Sequence, residues 1–201
     1  MDLQLKGHRA LVTGSSAGIG EAIARRLAAE GAAVVVHGRR AHAVNKVAEA
    51  ISAEGGQAEG LTADLANPGE CARLISRALG GGDIDILVNN AGAFANRGWD
   101  DAAPEDWLAL YATNVAAVVR CIQGFLPAMR AARWGRIVQI GTGEAVNPFP
   151  ITAPTCASTA AAPPSCDWRR THRTSQEISI PCVTHCSATP ACGSAKWPLA
   201  P

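Results

Sequence analysis

The residues best placed to do chemistry stand in one turn, VTGSSAGIGEA. Gly14, Gly18 and Gly20 fall where a backbone must turn tightly and approach a ligand, and the helix start behind them offers free N–H groups and a positive dipole end to a pyrophosphate. Three glycines at this spacing also occur in ordinary strand-to-helix turns. With an apolar strand before them and a helical pattern after, they read as a dinucleotide site. The next strand ends VVVHGRR, with no carboxylate for a ribose 2′-hydroxyl. Arg39, together with Arg40, suits a 2′-phosphate in a charge-assisted fork. NADP is therefore the expected cofactor, and NAD the alternative. Further on, ITAPTCASTAA sets Thr155 and Thr159 four apart, on one face of a helix. Cys182, His185, Cys186 and Cys192 are zinc-ligating types, but C-x2-H-C-x5-C lacks paired knuckles and a second half-site, so no metal is expected.

Alternating elements must position these groups. HRALVT (8–13), AAVVVHG (32–38), QAEGLTADL (57–65), DIDILVNNAG (83–92) and GRIVQI (135–140) hold strands, read as apolar throughout. GIGEAIARRLAAEGA is a helix in which Ile19, Ile23 and Leu27 mark the buried stripe and Gly31 the stop. AHAVNKVAEAISAEGG and PGECARLISRALGG are two more, the latter opened by Pro68. Residues 104–131 read as one long helix, with Trp107, Tyr111, Asn114, Val115, Val118, Ile122, Phe125 and Met129 on one stripe and a kink at Pro127. This order predicts an α/β doubly wound parallel sheet, helices on both faces, in a single domain over 1–201.

Composition narrows the function. The chain has 201 residues, net charge +1 and 17% charged residues, so nucleic acid or a charged membrane surface is not an expected partner. No run reaches the roughly 18 apolar residues of a spanning helix, and the charged N-terminus leads straight into a strand, so a cytoplasmic, thiol-reducing setting is expected. His37 reads as a plain surface or cofactor-edge residue, Trp99 and Trp107 as packing beside the cofactor loop and on the long helix, and Arg133, Trp134 and Arg136 as a solvated basic loop. Residues 1–150 are well specified. The last 51 residues differ in kind, holding five of the seven cysteines and seven of the twelve prolines.

TGSSAGIG resembles the T-G-x-x-x-G-x-G fingerprint of the short-chain dehydrogenase/reductase family. Three further segments agree in order. ADL places Asp64, with Leu65 after it, where that family contacts the adenine ring. NNAG spans Asn89 to Gly92, and NV places Asn114 at the family's catalytic asparagine. The resemblance implies an NAD(P)-binding Rossmann fold and hydride transfer between NADP(H) and a small carbonyl or alcohol. It assigns Gly14, Ser15, Ser16, Gly18, Ile19, Gly20, Asp64, Leu65, Asn90, Ala91 and Gly92 to the cofactor, to which the local reading adds Arg39. A homo-oligomer is usual for the family and doubtful here.

The family's proton delivery is a Tyr-x-x-x-Lys pair with a serine thirteen residues earlier, the lysine bringing the tyrosine pKa down from about 10. GRIVQIGT resembles the segment carrying that serine, and puts Thr142 at its position. Thr155 then falls on the tyrosine and Thr159 on the lysine, TCASTAA standing for Y-x-A-S-K-A-A. Thr142 keeps a hydroxyl. Thr155 has no accessible pKa and Thr159 no positive charge, so activity is expected to be impaired; the alternatives are a catalytically inactive dinucleotide-binding or interaction protein, or a chain too damaged to fold. Pro163 and Pro164 interrupt the helix that should follow, and 163–177 lack Leu, Ile, Val and Phe. ISIPCVTHCSAT resembles a later family segment with three residues replaced. The Pro, Arg, Cys, Ser and Trp content points to an out-of-frame reading over residues near 155–177, or to a degenerate family member. The chain stops before the family's usual last strand, so the fold is expected to be incomplete there.

Overall fold

A computed structural model describes residues 3–142, 152–160 and 166–168. Its six-stranded sheet has the order β3-β2-β1-β4-β5-β6, built from β1 (Arg9–Val12), β2 (Ala33–Gly38), β3 (Gln57–Thr62), β4 (Ile86–Asn89), β5 (Gly135–Gln139) and β6 (Cys166–Trp168). The first five run parallel. β6 pairs antiparallel with β5, a strand the sequence did not announce. The expected doubly wound sheet is present.

Strand alternation supplies two apolar layers. Leu11, Val35, Leu87 and Ile137 face α3 (Pro68–Gly80) and α5 (Ala117–Ala132), where Leu74, Ala78, Cys121, Phe125 and Met129 cover them. Ala10, Val12, Val34, Val36, Ile86 and Val88 face α1 (Gly18–Ala29) and α2 (Ala41–Ala53), against Ala24, Ala28, Val44, Val47 and Ile51. Asn67 starts α3, its Oδ1 accepting the Gly69 and Glu70 N–H groups, with Pro68 in the first turn.

Three expectations need correction. β3 is not apolar throughout. It is the edge strand, and its residues alternate between exposed and half-buried until Leu61. In α1 the buried stripe is Gly20, Ala24 and Ala28, while Ile19 points outward at 68% exposure and Ile23 and Leu27 only flank the core. Small residues win that face because the helix start lies against backbone: a Cβ on Gly20 would stand 2.5 Å from the Gly14 carbonyl oxygen and 2.9 Å from Ser15 Cα. Finally, the long helix runs as expected over Pro104–Ala132, but its buried stripe shifts at a π-helical turn. α4 (Pro104–Tyr111) and α5 are joined by a π-helical turn, Ala112–Ala116. The extra residue rotates the faces on either side relative to each other. Leu110 is therefore buried and Tyr111 half exposed, although the continuous stripe put Tyr111 inside.

The α4–α5 segment is long and apolar enough to cross a membrane, but its stripe from Leu110 to Met129 is buried within the protein. α6 (Ala153–Ala160) packs on α4 and the π turn. The expectations for Pro163, Pro164, the region 169–201 and its Cys/His group lie outside the described residues.

Candidate functional site

The C-terminal ends of β1 and β4 lie side by side where the chain turns to opposite faces of the sheet, the place where such sheets form a crevice. Gly14 begins the β1–α1 turn with φ +66°, and a Cβ there would lie 2.8 Å from Ala91 Cα. The turn is thus pressed onto the segment after β4. Thr13 makes the joint: its Oγ1 accepts the N–H groups of Asn90 and Ala91, both at 3.0 Å. Asn90 answers, its Nδ2 donating to the Thr13 and Gly14 carbonyls at 3.0 and 3.1 Å. Gly18 differs. It too has positive φ, +61°, but nothing lies within 4 Å of a Cβ built on it. The turn is closed at Gly14 and Gly20 and open at Gly18, beside the first amides of α1, which have no intrahelical partner.

The end of β2 forms the floor. A Cβ on Gly38 would come within 2.7 Å of Ser16 Oγ, so these residues touch, and Arg39 follows them into solvent. Asp64 is exposed beyond β3, its carboxylate accepting the Ala66 N–H at 3.0 Å, while Leu65 is buried. Ser15 is buried at 0% exposure: its Oγ donates to the Val12 carbonyl at 2.6 Å and accepts the His37 N–H at 2.9 Å. Its side chain is structural, so only its backbone is available to a cofactor.

His37 is not a surface residue. It is 2% exposed, its Nδ1 accepts the Gly14 N–H at 3.2 Å, and its Nε2 lies 3.2 Å from the Ala63 carbonyl oxygen. Burial lowers its pKa to about 4, against the opposing pull of the Ala63 carbonyl and the Asp64 charge. The ring is neutral at pH 7.

A second group of polar residues gathers where the π turn meets α6. Asn114 is buried. Its Oδ1 accepts the Ala93 N–H at 2.7 Å, and its Nδ2 donates to the Ala93 carbonyl at 3.0 Å and to Ser158 Oγ at 2.8 Å. Ser158 Oγ donates to the Thr155 carbonyl at 3.0 Å. Thr155, 2% exposed, accepts the Ala95 N–H at 3.0 Å and donates to the Ala95 carbonyl at 3.3 Å. Asn114 and Thr155 therefore grip the same short segment, residues 93–95. A Cβ on Gly92 would lie 3.6 Å from Asn114 Oδ1. Thr142 is exposed just past β5. Thr159 shares α6 with Thr155.

Thr13 and Ser158 were not singled out from the sequence, and His37 was read only as a surface or cofactor-edge residue. Two had local signals: Thr13 opens the glycine motif, and Ser158 follows Thr155 by one helical turn. His37 had none, since its partners lie 23 and 26 residues away. The other aromatic readings shift as well. Trp99 and Trp107 pack on each other, ring centroids 5.0 Å apart, with Trp99 73% exposed. Trp134 is stacked under His8 at 3.7 Å and under the Arg136 guanidinium at 4.7 Å, rather than lying in a merely solvated loop.

Comparison with known proteins gives a consistent result. A family model described as short chain dehydrogenase matches residues 8–183. An uncharacterized oxidoreductase of Bacillus subtilis, YvrD, is 42% identical over 154 residues, 77% of this chain and 58% of the relative. A crystal structure of a 3-oxoacyl (acyl-carrier-protein) reductase from Agrobacterium tumefaciens with NADP bound superposes with TM-score 0.75 at 41% identity, covering 78% of this chain and 61% of that one. A metagenomic short-chain oxidoreductase in complex with NADP also gives 0.75, at 38% identity, with 78% and 72% covered. The chain thus spans less than two thirds of the YvrD sequence and of the Agrobacterium structure.

Proposed function

The chain belongs to the short-chain dehydrogenase/reductase family of oxidoreductases, and from that premise we propose that it binds NADP(H) at the β1–α1 turn and carries an impaired form of hydride transfer to a small carbonyl or from the corresponding alcohol. The observation that carries this reading is Gly18, open to solvent at positive φ in a turn otherwise sealed by Gly14 and Gly20. A pyrophosphate fits such a cradle because only a residue without Cβ leaves the α1 amides uncovered. Ser16, Ile19, Asn90, Ala91 and Gly92 would line it, Asp64 would meet the adenine, and Arg39 would pair the 2′-phosphate. NADP bound to two similar structures supports that choice over NAD.

When bound, the reduced nicotinamide supplies a hydride for a carbonyl carbon. The chain's own part is positioning and protonation. Asn114 holds the backbone at Ala93, and the Thr142 hydroxyl polarises the carbonyl. Thr155 stands where a proton donor belongs, with its hydroxyl tied in both directions to Ala95. An aliphatic hydroxyl does not release a proton near neutrality, and Thr159 brings no charge to help it. That engagement favours the second reading, a protein that binds the dinucleotide without turnover.

Titration with NADPH, NADP⁺ and NADH, followed by nicotinamide fluorescence and melting temperature, tests both readings. The expected outcome is NADPH binding tighter than NADH, with turnover of simple ketones and aldehydes far below that of a tyrosine-bearing relative. Tighter NADH would overturn the role of Arg39. No binding by any of the three would overturn the dinucleotide reading itself. Full-rate turnover would show that another group delivers the proton. The double change Thr155→Tyr and Thr159→Lys should raise turnover if α6 keeps its place.

A further inference from the structure

The His37 ring meets the dinucleotide turn from the end of β2. His37 closes β2 and touches both neighbouring connections: Gly14 and Ser15 in the β1–α1 turn, and Ala63 beyond β3. The Ser15 N–H also donates to the His37 carbonyl at 2.8 Å. One tautomer serves both ring contacts. The Gly14 N–H can only donate, so Nδ1 must carry a lone pair; the Ala63 carbonyl can only accept, so Nε2 must carry the proton. A protonated ring has no lone pair for Gly14, and the opposite tautomer sets two donors face to face and two acceptors face to face.

We propose that His37 is the positioning residue of the dinucleotide turn, its neutral ring accepting the Gly14 amide so that this peptide is turned inward and the amides from Gly18 onward are left facing the ligand. The role rests on the dinucleotide reading above. Asn90 Nδ2 holds the Thr13 and Gly14 carbonyls, and the ring adds the hold on the Gly14 N–H. A glycine at φ +66° has no Cβ to hold its conformation, and on its Ala91 side it has contact but no hydrogen bond from its own N–H. Ser15, whose N–H and Oγ both bond the His37 backbone, is tied to the same strand end whatever residue stands at 37. Among the described residues the ring is the side chain that accepts the Gly14 amide, and replacing it removes that one bond.

The test uses the full chain with His37→Asn and His37→Leu. Asparagine can set its Oδ1 near the place of Nδ1; leucine fills space and accepts nothing. NADPH affinity and the hydrogen exchange of the Gly14 amide are both measured at pH 7. His37→Asn should bind NADPH within about threefold of the parent and keep Gly14 protected. His37→Leu should bind about tenfold more weakly, the equivalent of one hydrogen bond of about 1.4 kcal/mol, and exchange Gly14 faster. Equal affinity and equal protection in His37→Leu would overturn the proposal, as would His37→Asn falling with His37→Leu. A parent chain that binds no NADPH would overturn the dinucleotide reading and this role together, which separates the two failures. If His37→Leu does not fold, ¹⁵N spectra of the unaltered chain still decide: a bare Nδ1 and a protonated Nε2 at pH 7 are expected, and the reverse tautomer overturns the proposal.

Discussion

Asn114 and His37 are buried polar side chains whose every ring or amide contact reaches backbone or a hydroxyl far along the chain. Asn114 bonds Ala93 twice and Ser158 once. Replacing it by alanine leaves the Ala93 groups short of partners, and should lower unfolding free energy by about 2–3 kcal/mol in urea titrations. His37 predicts a pH dependence. Its pKa falls from 6.5 unfolded to about 4 folded, chiefly through burial, so the unfolded chain takes up a proton that the folded chain refuses. Its contribution is fully present above pH 6.5 and declines as pH falls from 6.5 toward about 4, by on the order of 3 kcal/mol in all. Urea midpoints measured between pH 7 and 4.5 should show this slope, and His37→Asn should flatten it. A slope unchanged by that replacement would mean other groups dominate.

The turn and helix α1 behave as one element whose glycines have different duties. Gly20→Ala sets a methyl against the Gly14 oxygen and Ser15 Cα, atoms of backbone that cannot swing aside. It should destabilise by about 3 kcal/mol, the upper part of the range for overpacking. Gly18→Ala meets nothing, so it should cost only the strain of positive φ, about 1 kcal/mol. Its methyl faces the ligand side, and NADPH affinity should fall more than stability does. Chemical unfolding beside NADPH titration separates the two variants. The π turn follows the same logic of local geometry set by a site. It carries Asn114 and sits under α6, and such bulges recur where a helix must re-aim one side chain.

For the molecule as a whole, NADPH at a hundred times its dissociation constant should stabilise the fold by about 2.7 kcal/mol, read as a rise in melting temperature. The two apolar layers that such a measurement reports on are complete among the described residues, since β1, β2 and β4 are buried between α1, α2, α3 and α5. Cys71 and Cys121 lie within one of those layers at 0% exposure. Both thiols should resist maleimide in the folded chain and react on unfolding, followed by mass spectrometry of the labelled peptides. Rapid labelling of either would mean that α3 and α5 part easily.

Sequence by itself determined the order of the first five strands and the helices between them, the glycine turn and the place of Arg39 just after β2. These follow from apolar runs of strand length, stops at glycine, and the need for a bare backbone near phosphate, all of which act over a few residues. The family resemblance also placed Asn114 and the two threonines. Tertiary structure decided what those residues touch. Thr155 reaches Ala95 across 60 residues and Asn114 reaches Ser158 across 44, so no local pattern encodes either bond. The same holds for the face that α1 buries, the half-exposed edge strand β3 and the inward turn of His37. Each depends on which surface arrives from elsewhere in the chain, and periodicity records only how a segment can fold, not what it will fold against.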